Sequence, residues 1–370
     1  MPSKMPALDG LRGVAILMVV LIHAFGGWQV AQSITQDTLA WQATFQLPHW
    51  LEAVAGQAYH GVTLFFVVSA FTLTLSLSKG RSLGAYAVRR IARVGPGYWL
   101  AGIGYILAAG LAPRPSAPDG VTVPDLAVAA VFGSAWQGGG AIDVVPGGWS
   151  VSCEVAFYAA LPVTLWLIGG RLWRAVLLAL AAALAVQLLA RHAMTHGGWH
   201  YVPQYVHPTI QAPVFLAGIA AAMLAQQVRL PRVPGLPVGL LAVGIVALPL
   251  MPIPRALWGL LLHLPFAVLA AACVALSAQH PPRLLAHPAM RRIGEVSYSR
   301  YLIHFALLAP CLTAAEWLAP GNGWPTLALH FGVTAACSFA LACATYRLVE
   351  QPCIKGAARL LRRSTLQNVS

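Results

Sequence analysis

The sequence consists largely of long apolar runs separated by more polar connections, some of them short and basic and others long. Each run is about 17 to 25 residues long, and a helix needs roughly 20 predominantly apolar residues to cross a bilayer. Charged residues make up only 9% of the chain, against roughly a quarter in soluble domains. The mean hydropathy of +0.71 agrees with this contrast. The pattern therefore predicts an all-α, polytopic bundle of membrane helices.

We expect ten membrane spans, which places both termini on the same side of the bilayer. The predicted spans are 11–28, 58–78, 95–112, 149–169, 174–190, 209–227, 235–251, 256–278, 297–318 and 325–348. The segment 123–136 is apolar but short for a span, and we expect it to be half-inserted or packed against the bundle. If it crossed the membrane, every later basic connection would change sides.

The chain is expected to form a single membrane-embedded domain over residues 1–370. Its core would cover 8–352, and a basic cytoplasmic tail would follow at 353–370. The first apolar run is not followed by a small-residue cleavage pattern, and further spans come after it. We therefore interpret it as a retained helix rather than a signal peptide.

The net charge of +13 is explained by where the basic residues fall. In a soluble protein this charge would suggest a nucleic-acid partner. Here 18 of the 23 Lys and Arg residues lie on the side of the termini once the chain is threaded through the predicted spans. The positive-inside rule makes that side cytoplasmic. We therefore expect a multi-pass protein of the inner (plasma) membrane, with the lipid bilayer and not nucleic acid as a partner.

The six cysteines show no paired or metal-type spacing. Most of them fall inside predicted spans, where we interpret them as small packing residues. The sequence also contains no zinc signature and no Gly-rich phosphate loop. We therefore expect no metal site.

The first predicted span carries two ionisable residues, Arg12 and His23. Eleven positions at 100° each amount to three turns plus about 20°, so the two side chains share one helix face. They lie roughly 16 Å apart along the axis. Ionisable groups inside a membrane are costly and usually face a cavity or a partner. The alternative interpretation is a snorkelling arginine with an interfacial histidine.

Later spans also carry ionisable residues. Arg90 and Arg93 lie one turn apart at the cytoplasmic mouth of the third span. Planar guanidinium groups suit phosphate oxygens, although topogenic charge also explains a basic cluster there. Glu154 lies about one turn inside the fourth span, with Ser150 and Tyr158 one turn away on either side. A carboxylate at that depth needs a partner or a changed protonation state.

Three more histidines lie well inside predicted helices. The ninth span carries Arg300 and His304, which repeat the pattern of the first span. For His263 and His330 we prefer an interpretation as packing residues.

Six stretches of this chain, taken together, resemble acyltransferase family three, a family of integral-membrane O-acyltransferases that modify cell-envelope glycans and some small molecules. The stretches are "LDGLRGVAILMVVLIHAF", "GVTLFFVVSAFTLTL", "RRIARVGPGYW", "WSVSCEVAFYAALP", "IGEVSYSRYLIHF" and "YRLVEQP". They follow the family's order from residue 8 to residue 352, and thus cover nearly the whole chain.

The resemblance implies a role for five residues. Arg12 and His23 match the family's basic residue and histidine in the first helix, of which the histidine is catalytic. Arg90 and Arg93 match its paired arginines, which are associated with acyl-CoA. Glu154 matches the acidic residue of its Trp-Ser-x-Ser-x-Glu stretch.

The chain departs from the family pattern directly after that glutamate. Val155 and Ala156 stand where the family commonly has Glu-Gln, which removes polar groups beside the carboxylate. The soluble hydrolase-like domain that some relatives carry is not seen here either. We therefore expect the chain to act alone or to hand over to a separate envelope partner protein.

The resemblance also implies the substrates. The donor would be a cytoplasmic acyl-CoA, with acetyl-CoA expected, and no cofactor would be tightly bound. The acceptor would be a hydroxyl group of an envelope glycan or of another glycosylated molecule, so that a carbohydrate is an expected partner.

Acyl transfer from a thioester to a hydroxyl group needs a base that titrates near neutrality, and His23 is the candidate. Glu154 would orient its imidazole and stabilise the charged form. Substrate contacts are expected from Ser150, Tyr158 and His304. Direct transfer and an acyl-histidine intermediate both stay open. The alternative from another class is a transporter or flippase of a lipid-linked glycan, for which buried ionisable groups would also be natural.

Overall fold

A computed structural model describes residues 5–27, 48–78, 82–113, 117, 119–137, 144–195, 205–247, 263–321 and 323–367. Within these residues the chain is all-helical, with 85% of it in helices and no strand. This confirms the predicted all-α fold class.

Fifteen α-helices follow one another along the described part of the chain. They are α1 (Pro6–Ile22), α2 (His49–Gly56), α3 (His60–Leu77), α4 (Leu83–Ala109), α5 (Val123–Ala130), α6 (Gly148–Ile168), α7 (Leu172–Thr195), α8 (Pro208–Gln227), α9 (Leu236–Ala247), α10 (His263–Gln279), α11 (Arg283–Ala286), α12 (Pro288–Glu295), α13 (Ser297–Leu318), α14 (Trp324–Thr345) and α15 (Gln351–Gln367). Two turns with π-type hydrogen bonding, His23–Gly27 and Tyr346–Glu350, follow α1 and α14 directly and are called the first and second π-turn below. The first of them is kinked at Gly26, where the backbone is not helical.

Seven helical segments among the described residues are long and apolar enough to cross a membrane. They are Pro6–Gly26, Trp50–Leu77, Gly148–Ile168, Leu172–Leu189, Pro208–Gln227, Ser297–Leu318 and Trp324–Arg362. Of the other three predicted spans, 95–112 lies mostly within the long helix α4. The remaining two contain the shorter apolar helices α9 and α10, and residues 248–262 between these lie outside the described part of the chain. The count of ten and the cytoplasmic position of the termini stay predictions.

The segment 123–136 forms the short helix α5 and a 3₁₀ turn at Ser134–Trp136. Thr122 caps α5, since its side chain accepts from the Asp125 N–H while the Asp125 carboxylate accepts from the Thr122 N–H. A helix of 8 residues is about 12 Å long, far short of the roughly 30 Å of a bilayer core. The helix is thus too short to cross the membrane by itself, and the half-inserted or packed position of the segment stays a prediction.

Helix α1 lies in the interior of the bundle and packs against α3, α12, α11 and α13. Its close approach to the C-terminal half depends on two glycines. Gly10 faces the backbone carbonyl of Leu285, and Gly294 faces that of Asp9, so closely that a Cβ atom at either glycine would overlap with the backbone. These contacts hold the first turns of α1, which carry Arg12, against α11 and α12.

Hydrogen bonds bring several helix connections to one end of the bundle. The Gln227 side chain, at the end of α8, donates to Gly170 O between α6 and α7 at 3.0 Å. The Gln279 side chain, at the end of α10, donates to Val228 O at 2.7 Å. The three connections joined in this way carry or flank Arg171, Arg174, Arg229, Arg232 and Arg283. They share one end of the bundle as the threading predicts, and the side of the membrane that this end faces stays a prediction.

The basic segment after residue 353 forms most of helix α15, which continues from α14 through the second π-turn and packs against α4. Arg359 and Arg362 are exposed on this helix. The predicted tail is therefore helical over its described part, and it lies next to the helix that carries Arg90 and Arg93.

Candidate active site

Five helices, α1, α3, α4, α6 and α13, surround a narrow cleft of about 90 Å³. Its lining contains six of the eight site residues predicted from the sequence: Arg12, Arg90, Arg93, Ser150, Glu154 and Tyr158. The other two, His23 and His304, form a pair that does not belong to this lining. The structure thus divides the predicted residues between a cleft and a histidine pair.

Arg12 is held at the cleft by two polar side chains. Its Nη1 donates to Asp9 Oδ1, one turn earlier in α1, at 3.1 Å, and its Nη2 donates to Thr72 Oγ1 of α3 at 3.1 Å. Arg12 keeps about a quarter of its side chain exposed, at 26%. A polar cavity facing one side of α1 explains this arginine better than snorkelling to the membrane surface does.

Arg90 and Arg93 project from one face of α4 into the same cleft. The Arg90 guanidinium carbon lies 5.9 Å from the centre of the Tyr158 ring, in the range of a cation–π contact. Arg93 Nη1 lies 3.9 Å from Glu350 Oε2, and the Glu350 side chain is fully buried. Three guanidinium groups thus face a cleft whose lining includes one carboxylate, Glu154, so the described lining is cationic.

Glu154 is bonded within the cleft. Ser69 Oγ of α3 donates to Glu154 Oε1 at 2.5 Å, and the Tyr158 hydroxyl also interacts with this carboxylate. No described contact joins Glu154 to His23. The orienting role that the sequence suggests for Glu154 therefore has no described contact to support it, and it stays untested.

The ring of His23 contacts His304. His23 lies where α1 passes into its π-turn, and its Nδ1 lies 2.8 Å from Val19 O and 3.1 Å from His304 Nε2. The Phe305 ring packs on the His23 ring with a centroid distance of 4.3 Å. His304 itself is fully buried. It therefore has no exposed surface for the direct substrate contact that the sequence predicts.

The hydrogen-bond partners assign the tautomers of both rings. A carbonyl oxygen only accepts, so His23 Nδ1 carries the proton that Val19 O receives. In the same way His304 Nδ1, 2.7 Å from Tyr301 O, carries a proton, which leaves a lone pair on His304 Nε2. The Nδ1–H of His23 is therefore shared between Val19 O and His304 Nε2, and the Nε2 of neutral His23 keeps its lone pair.

Tyr301 connects the cleft with the histidine pair. Its hydroxyl donates to Gly147 O at 2.9 Å and accepts from Ser150 Oγ at 2.8 Å, while its backbone oxygen holds His304. Ser150 thus lines the cleft with its hydroxyl already bonded to Tyr301. The sequence reasoning did not assign a role to Tyr301, although it lies within the quoted stretch "SYSRYLIHF".

Glu350 is a second residue that the sequence reasoning missed. It ends the π-turn after α14, accepts a hydrogen bond from Ser299 of α13 and pairs with Arg93 of α4. Its only sequence signal was the quoted stretch "YRLVEQP". Arg300, by contrast, lies outside the cleft and ties α13 to α14, since it donates to Ser338 Oγ at 3.0 Å and to Ala335 O at 2.6 Å.

The other two histidines noted in the sequence make contacts away from the cleft. The ring nitrogens of His330 lie 3.1 Å from Ala24 O and 3.0 Å from Leu308 O. His263 packs edge-on against the Tyr205 ring. Within the described ranges no group of three His, Cys, Asp or Glu residues is arranged to hold a metal ion.

These features define a helical membrane protein with a cationic cleft next to a paired, partly exposed histidine. The chain belongs to acyltransferase family three, since that family's model, described as an acyltransferase domain, matches residues 5–346. Comparisons with curated proteins and with solved structures gave no match. The family assignment implies acyltransferase activity in a membrane-embedded protein, and it favours this activity over the transporter alternative.

Proposed function

We propose that the protein is an O-acyltransferase of the inner membrane, which moves an acyl group from cytoplasmic acyl-CoA to a hydroxyl group of an envelope glycan or another glycosylated acceptor. The observation that carries the proposal is the cationic cleft along α1, with a histidine further along the same helix whose Nε2 is free to act as a base. We expect acetyl-CoA as the donor.

The donor would bind by its charge. Coenzyme A is polyanionic, and Arg12, Arg90 and Arg93 supply planar donors that match phosphate oxygens. The cleft is narrow, which suits the chain-like pantetheine arm better than the bulky nucleotide. The arm would run along α1 from Arg12 toward His23, a rise of roughly 16 Å.

The transfer step uses His23 Nε2. It takes the proton of the acceptor hydroxyl while the oxygen attacks the thioester carbonyl carbon. The carbon–sulfur bond then breaks, and the protonated Nε2 returns the proton to the leaving thiolate, so that the products are an ester and free coenzyme A. No net proton is gained or lost.

An acyl-histidine route would use the same atom. His23 Nε2 would attack the thioester, coenzyme A would leave as the thiol with a proton from the ring, and the acceptor hydroxyl would then attack the acyl-imidazole. Mass spectrometry of protein incubated with acetyl-CoA in the absence of acceptor separates the routes. An acetyl group on the peptide that contains His23 supports the covalent route.

The acceptor would come from the other end of the bundle. His23 ends α1, whereas the basic connections cluster at the end where α1 begins. A glycan presented at the outer face would then reach Nε2 without passing the cationic cleft.

The donor site is tested by the double variant Arg90→Gln with Arg93→Gln. The apparent KM for acetyl-CoA should rise by about tenfold or more, because two charge-assisted phosphate contacts are lost. Inverted vesicles from cells that produce the protein, supplied with acetyl-CoA, provide the assay through release of coenzyme A. Arg359→Gln with Arg362→Gln is the matched control, since these exposed arginines have the same spacing on α15.

An unchanged donor KM in the cleft variant would contradict the proposed donor site. An equal rise in the control variant would mean that surface charge, rather than the cleft, attracts the donor.

A further inference from the structure

Two histidines from opposite ends of the chain meet beside the cleft. His304 Nε2 lies 3.1 Å from His23 Nδ1, and the two residues are 281 positions apart. The ring of His304 is fixed from its far side, because Nδ1 donates to Tyr301 O at 2.7 Å. Its Nε2 therefore presents a lone pair in a fixed direction toward His23.

None of the described contacts joins the His23 ring to an acidic side chain. Tyr301 lies on the same helix as His304, and Arg300 one turn earlier directs its guanidinium to α14. His330 of α14 directs its ring nitrogens to backbone oxygens. On the α1 side, the polar contacts of the His23 ring are Val19 O and His304.

We propose that His304 is the positioning residue of the transfer reaction: its Nε2 accepts the Nδ1–H of His23, orients the ring and stabilises the imidazolium that forms when His23 Nε2 takes the hydroxyl proton. This inference rests on the proposed function. It assigns to a neutral imidazole the part that a carboxylate plays in a Ser-His-Asp triad.

The arrangement has a consequence for protonation. Two imidazoles in contact repel each other when both are charged, so the pair holds at most one added proton. That proton is placed on His23 Nε2 by the reaction, and the resulting positive charge is shared across the Nδ1–H bond with His304. The pair therefore titrates as a unit, and the pH profile of the reaction reports on both rings.

Two substitutions separate this role from simple packing. His304→Leu removes the acceptor, whereas His304→Gln places an amide oxygen near the position of Nε2 and keeps a neutral acceptor. We expect kcat to fall by about 100-fold or more in the Leu variant, in the range of losses seen when a general base is impaired. The Gln variant should recover at least tenfold of this loss. The KM for acetyl-CoA should change by less than about twofold in both, because His304 is not in the cleft.

The pH dependence of kcat separates this role from packing, because a change in packing alone would not shift it. Loss of the acceptor makes the protonated form of His23 less stable, so the acidic limb of kcat should move to lower pH in His304→Leu and stay near the wild-type position in His304→Gln. His263→Gln is the control, since His263 is equally buried but packs in α10 away from the pair. The acidic limb of the kcat profile of His263→Gln should lie at the wild-type pH.

A second measurement does not depend on activity. In ¹⁵N-histidine-labelled protein in lipid nanodiscs, the Nδ1–H proton of His23 should be shifted downfield by its acceptors, and the shift should decrease in His304→Leu. Wild-type kcat and limb position in His304→Leu, or an Nδ1–H signal unchanged by that substitution, would overturn the inference. If wild-type protein releases no coenzyme A but the NMR signal responds, the proposed function fails and the histidine contact stands.

Discussion

A histidine serves as a base in an apolar setting only if one ring nitrogen keeps its proton and the other keeps its lone pair. His23 meets this condition through contacts to Nδ1 alone, from Val19 O one turn earlier in α1 and from His304 Nε2. Both acceptors are uncharged. The proposed base and its partner therefore have no described contact with the charged groups of the cleft.

This separation predicts the effect of Glu154→Gln. Because Glu154 contacts Ser69 and Tyr158 instead of His23, its substitution should leave the acidic limb of the kcat profile within about 0.3 pH units of the wild-type position, whereas a change in the charge of a direct partner would move it by about one unit or more. The donor KM should change instead, since the cleft loses its lining carboxylate. Kinetics at a series of pH values measure both effects.

Ser150→Ala is a suitable companion variant, because it removes a bonded hydroxyl from the same helix without a change of charge. If the acidic limb of the kcat profile shifts in Glu154→Gln but not in Ser150→Ala, the result would indicate that Glu154 orients His23 after all.

Sequence reasoning singled out residues that lie close together in the structure, but it did not predict their contacts. Six predicted residues do line one cleft, because helical spacing correctly placed them on inward faces. The partner of His23 could not be read from spacing, since His304 comes from a helix 281 positions away. Tyr301 and Glu350 were missed for the same reason, since their roles depend on contacts between helices.

Among the secondary-structure elements, both π-turns carry an ionisable side chain that contacts a residue of the candidate site. The first begins with His23 and the second ends with Glu350. A π-turn widens the helix locally and redirects the side chains that it carries, and such turns are frequent at functional sites. Apolar runs predict the helices that precede these turns, α1 and α14, but they contain no signal for the turns themselves.

The first π-turn depends on Gly26, whose φ of 146° and ψ of 10° lie in a region that only glycine adopts readily. Among the described residues, no atom lies within 4 Å of a Cβ atom built at this position. Gly26→Ala therefore tests the backbone conformation alone, and we expect it to destabilise the turn by about 1–3 kcal/mol. Because the turn carries His23, kcat should fall while the KM for acetyl-CoA stays unchanged.

Gly332→Ala is the matched control in α14, where the added methyl group also meets open space and the backbone is helical. It should be neutral or slightly stabilising. Equal losses of activity in the two variants, measured beside their thermal unfolding midpoints, would argue against a special role of the first π-turn.

In the molecule as a whole, the basic connections and His23 lie at opposite ends of α1. The basic connections lie at the end where α1 begins, and His23 lies at the end where α1 finishes. If the positive-inside rule holds, the donor enters from the cytoplasm and the acceptor from outside.

Accessibility of single cysteines tests this direction. In a background in which the six native cysteines are replaced by alanine, His23→Cys should react with a small membrane-impermeant thiol reagent added to intact cells after outer-membrane permeabilisation. Arg90→Cys should react only in inverted vesicles. The exposed Arg359→Cys marks the basic end, and its labelling from outside would show that the orientation is reversed.

We propose that His23 transfers an acyl group from acyl-CoA to a hydroxyl acceptor. It is tested most directly by supplying radiolabelled acetyl-CoA to inverted vesicles that contain either wild-type protein or His23→Ala, and by measuring alkali-labile label in the glycan fraction together with release of coenzyme A. We predict ester-linked label and coenzyme A release with wild-type protein, and neither above background with a His23→Ala variant that is produced at the same level. Equal transfer by the two proteins, or no transfer by wild-type protein from acetyl-CoA or longer acyl-CoA donors, would contradict the account.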